Sequence, residues 1–389
     1  MNAATFLSSR AQSRDLITRV ARSLDCARDD RKNIKMPCFF RSFLISISIL
    51  LLPACSNLSY YIDAANGNFE LLEKAQPINE ILQQADLDKK FRQQLITFQQ
   101  ARNFASQNLL LPDNDSYRSF SELGRDFVVW NVVATSEFSI EPEKWCFLFV
   151  GCLAYRGYFE KDKVEAYAEE LKKQGLDVYV SGVSAYSTLG WFDDPIVSSM
   201  LYADEARRVG IIFHELAHQL MYRKNSTTFN ESFAMLVEEE GLRRWFESRN
   251  EPVLLEQYKE DKVRSRQFHK MLVQTKNQLK LLYSQDLSDT EKRQQKSHYL
   301  KQIKEDYKNL RQQWHGYSGY DQWMSQPLNN AHFVLVQTYF DLLPMFKTML
   351  SQQDNDLRAF YAEVIKLSEL SEDEFKQQVI KHTYSQSNQ

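Results

Sequence analysis

The chain has 389 residues, of which 43% are hydrophobic and 25% charged, and its formal net charge is -3. A pI near 6.2 and the lack of a sustained basic patch argue against nucleic-acid binding. The low numbers of glycines and prolines, 11 and 9, indicate a mostly helical protein with few turns.

The amino-terminal region has the pattern of an export signal. An apolar stretch of about ten residues, Phe43 to Leu52, is too short to span a bilayer and follows Arg41. A positive flank, an apolar core and a small residue before the cleavage point are typical of a secretory signal. Residues 1–35 fit poorly with such a leader, so we predict that they are an over-extended start and that Met36 is the true one.

The cysteines extend this prediction. Cys55 directly after Ala54 makes residues 36–54 resemble a bacterial lipoprotein signal, which implies that Cys55 becomes the lipid-bearing first residue. The alternative is a buried helix followed by an ordinary cysteine. Ser56, where an aspartate would favour inner-membrane retention, implies a cell-envelope lipoprotein that faces the periplasm from the outer membrane rather than the inner one. In that oxidising compartment Cys146 and Cys152 predict a disulfide; a thiol metal site is the weaker alternative.

The elements that follow alternate between helices and strands. Ile78 to Leu110 has helical spacing of apolar residues, and so does Lys161–Lys173. Phe127 to Ala134 and Asp177 to Val183 are rich in β-branched residues and predict strands. We expect these strands to form a small sheet beside the helix that begins near Ile211.

A loop, Tyr186 to Phe192, separates the second strand from that helix. Its hydroxyls, on Tyr186, Ser187 and Thr188, are candidates for the rim of a substrate cleft, or they belong to a polar turn. Asp193-Asp194-Pro195 predicts a helix start with proline in the first turn.

The segment Ile211 to Leu220 contains His214-Glu215-Leu216-Ala217-His218 in an apolar helical frame. Histidines four residues apart lie about 40° apart around a helix and about 6 Å apart along it, so both can reach one tetrahedral zinc ion. Glu215 faces the same side, where it can accept a proton from a water that zinc activates. The alternative, a buried helix whose histidines have other partners, would be costly without a metal.

A second helical segment after the turn Arg223–Ser226 offers the third metal ligand, Glu231. The alternative is that Glu231 completes a capping box with Thr228. Glu238, seven residues further on and on the same face, is the fallback ligand or an acid that orients a histidine.

These two segments carry a resemblance. The His-Glu-x-x-His motif followed by Asn230-Glu231-Ser232-Phe233-Ala234 resembles the gluzincin metallopeptidases, whose third ligand is a glutamate on a following helix. Twelve residues separate His218 from Glu231, fewer than in aminopeptidase N-type enzymes, and their Gly-x-Met-Glu-Asn motif is missing. The chain is more similar to bacterial lipoproteins predicted to be aminopeptidases, over Cys55 to Leu370, and the matching motifs are Trp145-Cys146, Gly151-Cys152, Tyr155–Phe159, Ala185–Phe192 and Asn329–Ala331.

The remaining chain is predominantly helical in composition. A capping box, Ser288-Asp289-Thr290-Glu291, divides residues 251–314 into two arms, so we expect a helical hairpin with a solvated face. A protein partner on that face is the alternative. After a loop over His315–Tyr320, a helix is expected to begin near Ala331 and to run through Tyr339.

Two supporting roles stay open. A zinc peptidase needs a donor for the oxyanion, which in related enzymes often comes from a later segment. Tyr339 is the first choice, or it is a core residue; Tyr317 follows, and Tyr320 and His332 are further candidates. An aminopeptidase also needs an acid that binds the free amine, and the candidates are Glu137, Asp193 and Asp194.

Together these patterns predict an α+β, predominantly helical protein. Residues 55–250 form a zincin-like metallopeptidase core, residues 251–314 the hairpin, and residues 315–385 a helical part that completes the catalytic domain. The predicted function is a zinc peptidase, in the first place an aminopeptidase, that acts on peptides or proteins. The alternatives are an envelope metalloendopeptidase and a non-catalytic zinc-binding lipoprotein that serves as a binding module.

Overall fold

A computed structural model describes residues 60–147, 151–185, 187–188, 190–336 and 342–384. The chain divides into two units, residues 1–61 and 62–389, and only residues 60 and 61 of the first are described. The predictions for residues 1–35, the signal 36–54, Cys55, Tyr186 and Tyr339 lie outside the described residues. In the part of the second unit that is described, no helix is both long and apolar enough to cross a membrane.

Strands in the described ranges form three small sheets. β3 lies between β6 and β7 and pairs antiparallel with both. β2 pairs antiparallel with β1 and parallel with β8, and β4 pairs with β5. The strands are β1 (Gln76–Pro77), β2 (Ser119–Ser121), β3 (Val129–Thr135), β4 (Trp145–Phe147), β5 (Gly151–Leu153), β6 (Arg156–Tyr158), β7 (Asp177–Val183) and β8 (Ile196–Val197).

Helices make up most of the described chain, so the α+β, mostly helical class is confirmed. One helix ends at residue 73, and a 3₁₀ helix covers Ser198–Tyr202. The others are α1 (Ile78–Ile81), α2 (Lys89–Asn108), α3 (Lys161–Lys173), α4 (Glu205–Leu220), α5 (Thr227–Ser248), α6 (Pro252–Tyr283), α7 (Asp289–Gln313), α8 (Asp321–Met324), α9 (Ala331–Val334), α10 (Leu343–Gln352), α11 (Leu357–Ser368) and α12 (Glu372–Tyr384).

The main core fixes α4 and α5 side by side. Phe213 of α4 contacts Phe104 of α2, with ring centroids 6.0 Å apart. Trp245 of α5 lies edge-on to the same Phe104 ring at 5.3 Å. Phe233 of α5 packs against Phe346 of α10. Because each buried aromatic contributes about 2–3 kcal/mol, this network strongly favours one arrangement of the two helices.

The β6–β3–β7 sheet has its own core. Its strands pair as expected, with Val133 opposite Tyr179, but their buried side chains, including Val132 and Val178, cluster with Val164 of α3. The sheet that shares the main core with α4 is β1–β2–β8, through side chains such as Ile196. The expectation that the first of these sheets lies beside α4 was therefore wrong, because α3, which connects β6 to β7, covers one face of it and α9 packs on the other.

Residues 251–314 form the expected hairpin, defined here as α6 and α7 joined by residues 284–288. The capping box is present: Glu291 N donates to Ser288 Oγ, and Ser288 N donates to Glu291 Oε2 at 2.9 Å. Side chains of both helices, such as Leu279 and Ile303, are fully buried in a shared cluster. The disulfide between Cys146 and Cys152 is also present, across β4 and β5.

Two expected helix boundaries were wrong. Asp193-Asp194-Pro195 does not start a helix, because Ile196 and Val197 pair with β2 as a strand. The helix at Ala331 ends at Val334, and Lys276 Nζ donates to the carbonyls of Val334 at 3.0 Å and Val336 at 2.8 Å; Tyr339 lies outside the described residues.

The predicted helix over Ile78–Leu110 is interrupted. Residues 82–88 separate α1 from α2, and Asp88 begins α2 by accepting a hydrogen bond from Phe91 N at 2.9 Å. An aspartate is a preferred residue at this position because its side chain satisfies an exposed amide of the first turn.

Candidate metal centre

Helix α4 presents its polar residues as one stripe. Asp204 caps the helix and accepts a hydrogen bond from Arg207 N at 2.8 Å, a favourable place for a carboxylate. Since the apolar face of α4 lies in the main core, the stripe that contains His214, Glu215 and His218 faces away from it. The 3.6-residue period of the helix thus aligns the three groups.

Two glycines let α5 approach this stripe closely. A Cβ on Gly210 of α4 would lie 3.0 Å from Leu242 Cδ1 and 3.1 Å from Glu238 Cγ. A Cβ on Gly241 of α5 would lie 2.6 Å from Phe213 Cδ2. Side chains at these positions would separate the helices, so the glycines permit short carboxylate–histidine distances.

The turn between the helices is held by Asn230. Its Oδ1 accepts from Arg223 N and its Nδ2 donates to Arg223 O, both at 2.8 Å. Ser226 is the N-cap residue of α5 and makes no capping side-chain hydrogen bond, so the capping-box interpretation of Thr228 and Glu231 was wrong. Asn230 positions the first turn of α5, and the carboxylate of Glu231 is left to face the histidines.

The three predicted ligands come together. Glu231 Oε2 lies 3.3 Å from His214 Nε2, and Glu231 Oε1 lies 3.6 Å from His218 Nε2. One ligand atom from each residue can be chosen so that all lie within 4.8 Å of one another. We call these three residues the His–Glu cluster; in the described residues it is the group of histidine, cysteine and acidic side chains with metal-ligand spacing.

The spacing in the His–Glu cluster fits zinc. Zinc bonds to histidine nitrogen and carboxylate oxygen at about 2.0–2.2 Å in tetrahedral sites, which places neighbouring ligand atoms roughly 3.3–3.6 Å apart. The distances of 3.3 and 3.6 Å from the two Glu231 oxygens to the imidazoles lie in that range, and one ligand atom from each of the three residues lies within 4.8 Å of the others. Two neutral imidazoles and one carboxylate are also a ligand set that zinc uses in hydrolases.

Glu238 completes the surroundings of His214. Its Oε2 lies 3.3 Å from His214 Nδ1, the ring atom that faces away from the His–Glu cluster. A carboxylate at this atom fixes the ring orientation and leaves Nε2 available for a metal. Of the two roles predicted for Glu238, its placement matches that of an acid that orients a histidine.

The carboxylates dominate the electrostatics. Burial would lower the pKa of His214, but hydrogen bonds with Glu231 and Glu238 raise it to about 10. Burial would raise the pKa of Glu231, yet the two histidines hold it at about 2. For Glu238, Lys262 and His214 have the same effect. The site therefore concentrates negative charge around the imidazoles, which favours a cation.

Glu215 is more basic than a surface glutamate. Burial raises its pKa; the nearby histidines oppose this, and the charges of Glu231 and Glu238 add to it. A raised pKa brings a carboxylate closer to the operating pH of a general base. Glu215 thus has both the position and the electrostatic surroundings for proton transfer.

The loop before α4 lies along the Glu215 side. Asp194 accepts hydrogen bonds from Thr188 N and Thr188 Oγ1, both at 2.8 Å, and its pKa is raised by burial and, to a smaller extent, by the charge of Glu215. A Cβ on Gly190 would lie 3.7 Å from the Gln219 side chain of α4. Ser187 and Thr188 therefore belong to a loop packed on α4, while Asp194 is buried beneath it and holds it in place.

Tyr222 is a neighbour of the His–Glu cluster that the sequence argument missed. Its ring centroid lies 6.4 Å from that of His218, it is 53% exposed, and burial together with the charge of Glu231 raises its pKa. The available signal was a phenol four residues after His218, two residues beyond the end of α4 at Leu220.

The remaining predicted residues lie elsewhere. Glu137 accepts from Arg293 of α7 at 2.7 and 2.8 Å, and Asp193 is exposed. Tyr317 lies under the Arg264 guanidinium at 4.6 Å, while Tyr320 stacks on Phe268 and His332 on Tyr179. Within the described ranges, the structure brings none of these side chains into the His–Glu cluster.

Comparison with known proteins gives one result. The family model described as "Putative aminopeptidase" matches residues 59–379, which include every residue of the site. No curated protein and no solved structure matches the chain significantly.

Proposed function

The chain belongs to this aminopeptidase family, and from that premise we propose that it is a zinc-dependent aminopeptidase whose metal is held by His214, His218 and Glu231. The family supports a peptidase-like role. The observation that supports the metal is the placement of the Glu231 carboxylate 3.3 and 3.6 Å from two imidazole nitrogens. The zincin-like character of the core is part of the same proposal.

Each residue of the site has its own role in the proposed reaction. Zinc, when bound, would polarise the scissile carbonyl and acidify water. Glu215 accepts the proton of the attacking water and delivers it to the leaving amine. Glu238 holds His214 through Nδ1, so that Nε2 keeps its direction. A raised pKa helps Glu215 in both transfers, because it must first gain and then release the proton.

Tyr222 is the donor that the described geometry favours for the oxyanion. A half-exposed phenol beside His218 can donate to an oxygen that becomes negatively charged during the reaction. Tyr339, the first choice from sequence, lies outside the described residues, and Tyr317 packs against the hairpin. The loop with Thr188 and Gly190 would flank the peptide on the Glu215 side.

We also propose that the enzyme is a lipoprotein of the cell envelope. The support is the signal pattern of residues 36–54 before Cys55 and the disulfide between Cys146 and Cys152. Disulfides persist in oxidising compartments such as the periplasm. Lipid on Cys55 would tether the enzyme to the membrane, with the outer membrane favoured by Ser56.

The test compares the purified protein with its Glu215→Gln variant. About one zinc per chain is expected in both, since this substitution would leave the three ligands intact, while peptide cleavage should fall by about 10²–10⁴-fold. Glu137→Gln, which changes a partly exposed glutamate paired with Arg293, serves as the matched control and should keep full activity. Peptides with free and with acetylated amino termini are used as substrates.

The outcomes separate the parts of the proposal. Loss of cleavage on acetylation supports an aminopeptidase, whereas equal cleavage of blocked peptides contradicts it in favour of an endopeptidase. Zinc binding without any cleavage by the wild type contradicts the peptidase and favours a binding lipoprotein. A wild-type protein that binds no zinc overturns the metal site.

A further inference from the structure

A lysine from the hairpin reaches the metal centre. Lys262 of α6 donates from Nζ to Glu238 Oε1 at 3.1 Å, and its side chain is only 19% exposed. The other oxygen of that carboxyl, Oε2, lies 3.3 Å from His214 Nδ1. Lys262, Glu238 and His214 thus form a continuous chain of contacts from the hairpin to the His–Glu cluster.

Of the two neighbouring carboxylates, Glu238 and Glu239, Lys262 lies closer to Glu238. The adjacent Glu239 has a separate partner, because its Oε2 lies 2.6 Å from Lys347 Nζ. Lys262 lies 3.9 Å from Glu239 Oε1, farther than from Glu238. The lysine therefore acts mainly on the carboxylate that faces His214.

Glu238 is fixed from two sides. Its Cγ packs over Gly210 of α4, where an added Cβ would come within 3.1 Å. Its carboxyl is then shared between Lys262 and His214, one oxygen to each. With the stem held by α4, the lysine decides which way the carboxyl plane points, and a charged hydrogen bond of this kind strengthens that preference.

We infer that Lys262 is a positioning residue of the metal centre: the hairpin supplies the cation that aims Glu238 at His214. The inference rests on the proposed zinc site. Groups that orient a metal-bound histidine commonly change metal affinity by about 10–100-fold when removed. Here that support comes from a helix outside the α4–α5 pair, so zinc affinity depends on the docking of the hairpin.

The experiment measures zinc affinity by competition with a chelator on the full-length protein. Lys262→Met keeps the aliphatic stem and removes the charge, and it should weaken zinc binding about 10-fold or more. Lys262→Arg should restore most of the affinity. Lys259→Met is the matched control on the same helix, since Lys259 is 56% exposed and pairs with Glu256, and it should bind zinc like the wild type.

A double-mutant cycle shows whether the lysine acts through Glu238. In a Glu238→Gln background, Lys262→Met should have little further effect on zinc affinity, whereas full additivity overturns the inference. Lys262→Gln is measured as well and circular dichroism confirms folding, so a misfolded variant does not decide the result. Unchanged affinity in both Lys262→Met and Lys262→Gln overturns the positioning role alone, while a wild type that binds no zinc overturns the proposed function.

Discussion

Two largely buried histidines, His214 and His332, have pKa values that are shifted in opposite directions. At the α4–α5 pair, Glu231 and Glu238 outweigh burial and raise the pKa of His214 to about 10. Behind the β6–β3–β7 sheet, burial lowers the pKa of His332 to about 4. His332 Nδ1 accepts a backbone amide hydrogen from Asn329 at 3.2 Å and also faces Asn329 Oδ1.

The difference shows that burial alone does not make a histidine a ligand for a metal. His332 is held neutral between aromatic rings, with Tyr179 stacked on it at 4.2 Å and Trp323 edge-on at 5.6 Å. His214 is also enclosed, but the carboxylates beside it supply the negative charge that a cation requires. We therefore expect metal binding at the first histidine environment and not at the second.

The largest expected effect is a loss of zinc affinity on substitution in the His–Glu cluster, compared with a substitution at His332. Glu231→Gln removes the charged ligand and should weaken zinc binding by at least about 100-fold, because a neutral amide oxygen is a poor zinc ligand. His332→Gln should leave zinc affinity unchanged. Zinc content after dialysis and chelator competition on the two variants measure this directly.

Both variants must be shown to fold, since Glu231 and His332 are partly or fully enclosed. Unfolding by urea provides that control. If His332→Gln loses zinc as strongly as Glu231→Gln, the contrast between the two environments is wrong.

The second effect concerns stability and pH. A neutral buried His332 with a pKa of about 4 binds fewer protons than the unfolded chain, whose histidine titrates near 6.5. Stability is therefore lost as pH falls from about 6.5 towards 4, by about 2 kcal/mol at pH 5 for this one group. His332→Phe, which keeps an aromatic ring, should lose less stability than the wild type between pH 7 and pH 5.

The measurement is the free energy of unfolding in urea at the two pH values. His298→Phe is the control, because His298 lies on the exposed side of α7 near Tyr299. If the free energy of unfolding changes equally with pH for the wild type and for His332→Phe, the pKa of His332 is not lowered by folding.

The sequence predicted those elements that depend on interactions between residues close together in the chain. Lys161–Lys173 and Asp177–Val183 were placed at their observed bounds, and Ser288 with Glu291 marked the start of α7. The positions of His214, Glu215 and His218 follow from helix periodicity alone. Glu231 faces the histidines as expected, although its role as a zinc ligand stays a prediction.

Contacts between distant segments could not be predicted in the same way. The two-residue strand β8 pairs with β2, which is too short a pairing to leave a periodic signal, so Pro195 was taken for a helix start. Lys262 sits in a polar helix with many lysines, and nothing local distinguishes the one that reaches Glu238. The effect of the Glu215 charge on the pKa of Asp194 depends on a loop folding back over α4.

The smallest expected effect is a pH dependence of zinc affinity, which tests the raised pKa of His214. In the metal-free protein, His214 has a pKa of about 10, so its imidazole is positively charged at pH 7. A metal ligand must instead be the neutral imidazole. Zinc must then displace that proton, so apparent zinc affinity should rise about tenfold from pH 7 to pH 8. An ordinary histidine with a pKa near 6.5 would give an almost flat response over this range. Chelator competition in buffers that do not bind zinc measures the slope, and a flat response would mean that Glu231 and Glu238 do not hold His214 in its charged form.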